Sequence, residues 1–324
     1  MLSLLIVSVV VVSASAREPL GELRRDLADL SAGASAKVEA ASGREGGLSG
    51  APQAAQVSAS PAPAIEIAAP GVTQELELND GTRAIGRVES VHEGRLLFRT
   101  TAGVVMDVEI AVVRSLHPIT GTVVNGEFWP ADANPTRLFF APTGRSLKKG
   151  EAYFGVYEIM LPFVQYGITD RISIGGGTPL FFGGGSGQPF WFTPKFAVTR
   201  GRTIDLAVGV LHFVNMGDAS VGIAYAVATQ GTTDAAFTVG GGYAYASEDQ
   251  RRAGAPVVMV GAEKRLSRRL KFVTENYWFS GVGLASGGVR FMGERLSADL
   301  GLVAPLGVDE TFVFPMVNFV WKMK

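Results

Sequence analysis

TIDLAVGVLHFV, residues 203–214, decides the fold. Ile204, Leu206, Val208 and Val210 fall on one side of an extended chain, and Asp205, Ala207 and Gly209 fall on the other. This period of two is written by a β-strand. A tilted strand of about 9–11 residues crosses a bilayer, whereas a helix needs about 20 apolar residues in a row. Stretches of the same kind recur from Gly150 to the C-terminus, separated by tight turns such as Ile168-Thr169-Asp170-Arg171. Repeated ten-residue segments of alternating character predict a transmembrane β-barrel.

Composition agrees. Hydrophobic residues make up 47% of the chain and charged residues only 18%, below the roughly 25% of soluble proteins. The 41 glycines argue against helices, since each costs a helix interior about 1 kcal/mol. Lys and Arg total 29 against 30 Asp and Glu, so no charge bias points to a nucleic-acid partner. There are no cysteines, which excludes disulfides, thiolate nucleophiles and Cys-based metal sites. No metal centre and no cofactor motif is expected.

The strands read from sequence are Thr136–Ala141, Glu151–Ile168 bent at Pro162, Arg171–Phe182, Pro189–Val198, Thr203–Val214 and Val221–Ala228. They continue with Ala235–Ala246, Pro256–Leu266, Leu270–Phe279, Leu284–Met292, Leu296–Ala304 and Thr311–Lys322. That is an all-β, antiparallel barrel of about twelve strands, spanning 135–324. An even count puts both ends in the periplasm. The turns at 169–170, 199–202, 267–269 and 293–295 then share one side, and the segments 183–188, 215–220, 247–254 and 281–283 share the other. This parity requires Thr136–Ala141 as the first strand, and no plug-sized domain is visible.

Three segments precede the barrel. Residues 1–16 are apolar and end in Ala14-Ser15-Ala16, the small-x-small pattern of a signal peptide. Residues 17–70 carry a short leucine stripe and then an Ala/Ser/Pro-rich stretch that cannot bury a core, as in a disordered linker. Residues 73–118 read as short strands: Glu75–Leu78, the turn Asn79-Asp80-Gly81, Ala84–Val91, Leu96–Phe98, Val104–Ile110 and Val112–Leu116. With the opening Asp80-Gly81-Thr82 and Ile85-Gly86-Arg87-Val88, this part resembles a small SH3-like or Sm-like barrel. Its acids, including Glu75, Glu77, Glu89 and Asp107, outnumber its arginines, so a protein contact in the periplasm is expected rather than RNA.

The segments ANPTRLFFAPTGRSLKKGEAYF (133–154), YGITDRISIGGG (166–177), RLSRRLKFVTENYWF (265–279) and FPMVNFVWKMK (314–324) resemble a group of uncharacterised bacterial outer-membrane barrel proteins. The resemblance implies the architecture and an outer-membrane location, with lipid and the barrel-assembly machinery as partners; it implies no substrate. One departure is the C-terminus, where Trp321 is followed by Lys322-Met323-Lys324 instead of closing the chain with an aromatic assembly signal.

Candidate functional residues follow from parity. If Ile204, Leu206 and Val208 face lipid, Asp205 faces the lumen, and the same rule turns Lys195, Glu263, Glu275, Arg290, Asp299 and Lys322 inward. A charge at mid-depth on the lipid face costs about 2–4 kcal/mol for Arg or Lys, so mid-strand charges belong inside. These side chains either line a passage for small solutes or neutralise one another in a filled lumen. Catalysis has little to draw on, because only His92, His117 and His212 are present. His212 shares parity with the lipid-facing set, and a pairing with Ser220 would be the core of a lipid-acting enzyme. The clusters Gly175–Gly177, Gly183–Gly185 and Gly240–Gly242 lack the Gly-Lys-Ser/Thr that a phosphate loop needs; they read as positions that leave room for a neighbouring side chain. Phe181, Phe182, Phe190, Trp191, Phe192, Tyr277, Trp278 and Phe279 are expected in the interfacial girdles. The leading expectation is a structural or small-solute channel barrel, with an outer-membrane enzyme or a soluble secreted all-β protein as alternatives.

Overall fold

The computed structural model describes residues 64–180, 188–201, 203–216, 219–248, 251–279, 281–307 and 312–323. The expected signal peptide, most of the linker, Phe181, Phe182 and Gly183–Gly185 lie outside them. The chain divides at Pro130 and Ala131 into two units.

In the N-terminal unit, β1 (Ala64–Ile65), β2 (Gln74–Leu78), β3 (Arg83–His92), β4 (Arg95–Thr100), β5 (Val105–Glu109) and β6 (Val113–Pro118) form one sheet. Its order is β1-β6-β2-β3-β4-β5, and a 3₁₀ turn at Ile110–Val112 leads from β5 into β6. Leu76, Leu96, Phe98, Val108, Val113 and Leu116 close its core. Ala64 and Ile65, expected within the disordered stretch, instead pair in parallel with Ser115 and Leu116. A separate hairpin, β7 (Gly121–Val124) and β8 (Glu127–Pro130), follows.

The second unit is a closed antiparallel barrel. Its strands are β9 (Ala152–Tyr157), β10 (Leu161–Gly167), β11 (Ile172–Gly177), β12 (Phe190–Phe192), β13 (Lys195–Arg200), β14 (Ile204–Met216), β15 (Ala219–Gly231) and β16 (Ala235–Glu248). They continue with β17 (Arg251–Ser267), β18 (Leu270–Phe279), β19 (Val282–Met292), β20 (Leu296–Leu306) and β21 (Phe314–Lys322). Each strand pairs with the next, and β21 closes the ring on β9 through Asn318↔Tyr157 to Lys322↔Tyr153. β12 and β13 are two halves of one barrel strand between β11 and β14, interrupted at Thr193-Pro194 because proline has no N–H for the ladder. The ring therefore holds twelve strands.

Twelve is the number the sequence predicts, but two assignments differ and offset each other. Glu151–Ile168 is not one bent strand: β9 and β10 form a hairpin whose turn includes Glu158 and Ile159, both in the left-handed region at φ 50° and 63°. Thr136–Ala141 is not a barrel strand at all, so the barrel begins at Ala152. The turns near 168–171, 232–234, 268–269 and 293–295 and the connection from β13 to β14 lie at one end, together with the start of β9 and the end of β21.

The alternation of each strand is expressed as burial. Along β14, Ile204, Leu206 and Val208 are exposed while Ala207 is 1% exposed. Val239, Val258, Phe272, Leu300, Leu302 and Trp278 are likewise exposed apolar residues on the outer face. A strip this apolar, wrapped around every strand, has water as a poor solvent. Phe190, Phe192 and Trp278 face outward, as a girdle requires. Trp191, Tyr277 and Phe279 cannot belong to one: adjacent aromatics on a strand point to opposite faces, and these three face the interior.

Candidate functional site: a hairpin inside the lumen

Eight strands make a barrel that side chains alone can fill, and sixteen leave a water-filled channel. Twelve strands fall between, and this barrel fills its lumen with its own chain. Residues 131–149, which precede β9, enter at the end that holds the termini, turn at Leu138–Ala141 and return. Leu138 N–H donates to the Ala141 carbonyl at 2.9 Å and Thr143 N–H to the Thr136 carbonyl at 2.9 Å, so the insert is a short β-turn hairpin. Leu138 and Phe139 at its tip are 0% exposed and pack with Val273, Leu284, Val303 and Met316 of the inner wall. This is the plug that sequence reading does not find, and it corrects the placement of Thr136–Ala141 as a strand.

A hairpin in a lumen carries main-chain groups that no ladder satisfies, and buried ones must find partners. The inward charges supply them. Glu275 Oε2 accepts the N–H groups of Phe139, Phe140 and Ala141 at 2.8, 3.0 and 3.0 Å, while Tyr277 donates to its Oε1 at 2.7 Å. Arg290 donates to the carbonyls of Asn134 (2.8 Å), Arg137 and Leu138. Its Nε also reaches Asp299 at 2.7 Å and its Nη1 reaches Asp132 at 3.1 Å. Lys195 Nζ donates to the carbonyls of Thr136, Thr143 and Arg145 at 3.5, 3.3 and 2.5 Å. Thr229 Oγ1 accepts the Gly144 N–H at 2.9 Å.

Ion pairs tie the two legs of the hairpin to the wall. Lys271 lies 2.5 Å from Asp132 and 3.0 Å from Glu263. Arg145 on the returning leg pairs with Glu263 and stands 3.9 Å from Asp205. Lys271, Arg290, Glu263, Asp299 and Asp132 are buried. At Gly144 this leg runs against the wall: a Cβ there would run into the Asp205 carbonyl and the Thr229 N–H.

All seven lumen candidates thus have a place. Lys195, Asp205, Glu263, Glu275, Arg290 and Asp299 point inward and engage the hairpin or one another. Lys322 has the same parity at the rim, 3.2 Å from Glu151. Lys271 is missed by sequence reading although it shares the parity of Glu275 on β18. Asp132, Arg137 and Arg145 are missed because they lie outside any recognised strand. The structure does not bring His212 to Ser220. Its Nδ1 is 2.8 Å from the Tyr245 hydroxyl, on the outer face against Phe192. Among the glycine clusters, Gly175 does leave room for an inner side chain, since a Cβ there would meet Gln165 Oε1.

No protein-family model matches the chain, and no curated protein matches it. Among solved structures, the NanC porin is similar over 53% of this chain and 99% of its own, with 9% identity and a TM-score of 0.41. The KdgM porin, solved in complex with disordered oligogalacturonate, is similar over 54% of this chain and 98% of its own, with 5% identity and a TM-score of 0.39. A loop-deletion mutant of OmpT, an outer membrane protein of Vibrio cholerae, covers 78% of this chain and 96% of its own at 13% identity and a TM-score of 0.36.

Proposed function

We propose that the chain is an outer-membrane barrel held shut by its own residues 131–149, a structural barrel and not an open small-solute channel. One observation carries the reading: the charges that would line a passage are spent on the main chain and ion pairs of the inserted hairpin, above all Glu275 on three successive N–H groups. Breaking a buried ion pair from one side costs about 3–5 kcal/mol, and each buried donor left without its acceptor about 1–3 kcal/mol. The outward apolar strip, the even strand number and the shared end of both termini support insertion in the outer membrane with that end in the periplasm.

The N-terminal sheet is then a periplasmic module. Its strand order, with the last strand beside the first and a 3₁₀ turn before it, supports an SH3-like kinship and a protein-contact role. An enzymatic reading has weaker support, because His212 bonds the Tyr245 hydroxyl and no carboxylate is bonded to its ring among the described residues to orient it as a base.

Planar-bilayer recording of the refolded full chain tests the proposal, with heat-modifiable gel migration as the check on folding. A folded barrel without steady conductance is the expected result. Steady ion-selective conductance would return the inward charges to the role of a selectivity lining.

A further inference from the structure

Beyond the hairpin tip, toward the end opposite the termini, the lumen holds a cavity of about 170 Å³. An engineered apolar cavity of roughly 150 Å³ takes up benzene. The wall is apolar, with Leu161, Trp191, Leu211, Ile223, Val257 and Met259 facing the space. The polar groups at its base are of another kind. Arg137 donates from Nε to the Tyr153 hydroxyl at 2.9 Å, from Nη2 to Gln165 Oε1 at 2.8 Å and from Nη1 to the Phe140 carbonyl at 3.2 Å. Its guanidinium also lies 5.2 Å from the ring centre of Phe163 and 5.8 Å from that of Tyr157. Lys195, beside it, has only carbonyl partners.

Neither cation has a carboxylate within 4.0 Å among the described residues, whereas Arg145, Lys271 and Arg290 in the same lumen all do. Cations held inside a lumen only by neutral acceptors leave much of their desolvation cost unrecovered. An anion seated on Arg137 would offset it. A planar carboxylate matches the guanidinium fork, and a single negative charge suits walls this apolar.

We propose that the cavity binds a monocarboxylate with a compact apolar body of about six to eight carbons. The carboxylate sits against Arg137, and the body packs on Trp191, Leu211 and Ile223. Because Arg137 belongs to the hairpin, the inference rests on the plugged-barrel reading.

Equilibrium dialysis of radiolabelled phenylacetate against the full chain in lipid nanodiscs tests it, with 2-phenylethanol as the uncharged counterpart. Saturable one-site binding of phenylacetate is expected, weaker by about tenfold or more for phenylethanol and for Arg137→Gln, and abolished by Ile223→Trp, which fills the cavity. A folded, non-conducting parent that binds no phenylacetate overturns the inference and leaves the plug intact. Equal affinity for the two ligands, or binding unchanged by Ile223→Trp, overturns it as well. Should Arg137→Gln fail to fold, the phenylethanol comparison and Ile223→Trp decide. A conducting parent contradicts the plugged barrel itself.

Discussion

Lys271 Nζ stands 2.5 Å from Asp132 Oδ2, joining a wall strand to the leg by which the hairpin enters the barrel. The two residues are 139 positions apart in sequence, and both side chains are essentially inaccessible to solvent. Glu263 completes the contact on the other side of the ammonium, and Arg290 reaches the same Asp132 oxygen. The fixed point of the plug is therefore a charge cluster in which Glu263, Lys271 and Arg290 of β17–β19 meet Asp132 of the chain before the barrel.

Asp132→Asn leaves Lys271 with Glu263 alone and Arg290 with Asp299 alone. It should lower the stability of the folded barrel by up to about 3–5 kcal/mol, the cost of breaking a buried pair from one side. Lys271→Met in the same chain should recover part of this loss. Urea titration followed by gel mobility reads both; a double variant no better than the sum of the singles would mean that the two side chains do not interact.

Glu275→Ala removes the acceptor of three tip N–H groups and of the Tyr277 hydroxyl. Each buried donor left unpaired costs about 1–3 kcal/mol, so the tip should leave its seat in part of the population. Intermittent conductance should appear where the parent is silent, and amide exchange at 139–141 should rise. A silent barrel with unchanged exchange would show that Glu275 does not hold the tip.

Val258→Arg places a charge on the outer face at the middle of β17, where the native side chain is 47% exposed. In a bilayer this should cost about 2–4 kcal/mol. In a water-soluble β protein the same substitution at an exposed site should cost almost nothing. Stability measured in lipid vesicles separates the two, and a neutral result would favour the secreted soluble alternative.

The barrel was legible because alternation is a local signal: TIDLAVGVLHFV faces the way its apolar residues say, and Asp205 turns inward with it. The strand count was legible for a poorer reason. Glu158 and Ile159 adopt left-handed backbone without a glycine or asparagine to announce the turn, so two strands read as one. Thr136 to Ala141 has a strand's apolar content, but its partners are inner-wall side chains far along the chain, and no local pattern distinguishes burial in a lumen from burial in a sheet. The inward charges were found by parity, while their job was not, since it depends on the hairpin. Lys271 was within reach of the same parity argument that picks out Glu275.

The central claim is that residues 131–149 close the barrel, and single-channel recording of the parent beside a variant lacking those residues tests it most directly. With both proteins shown to be folded by heat-modifiable migration, the account predicts a silent parent and a variant with steady conductance. A parent that conducts steadily with its hairpin in place would contradict it.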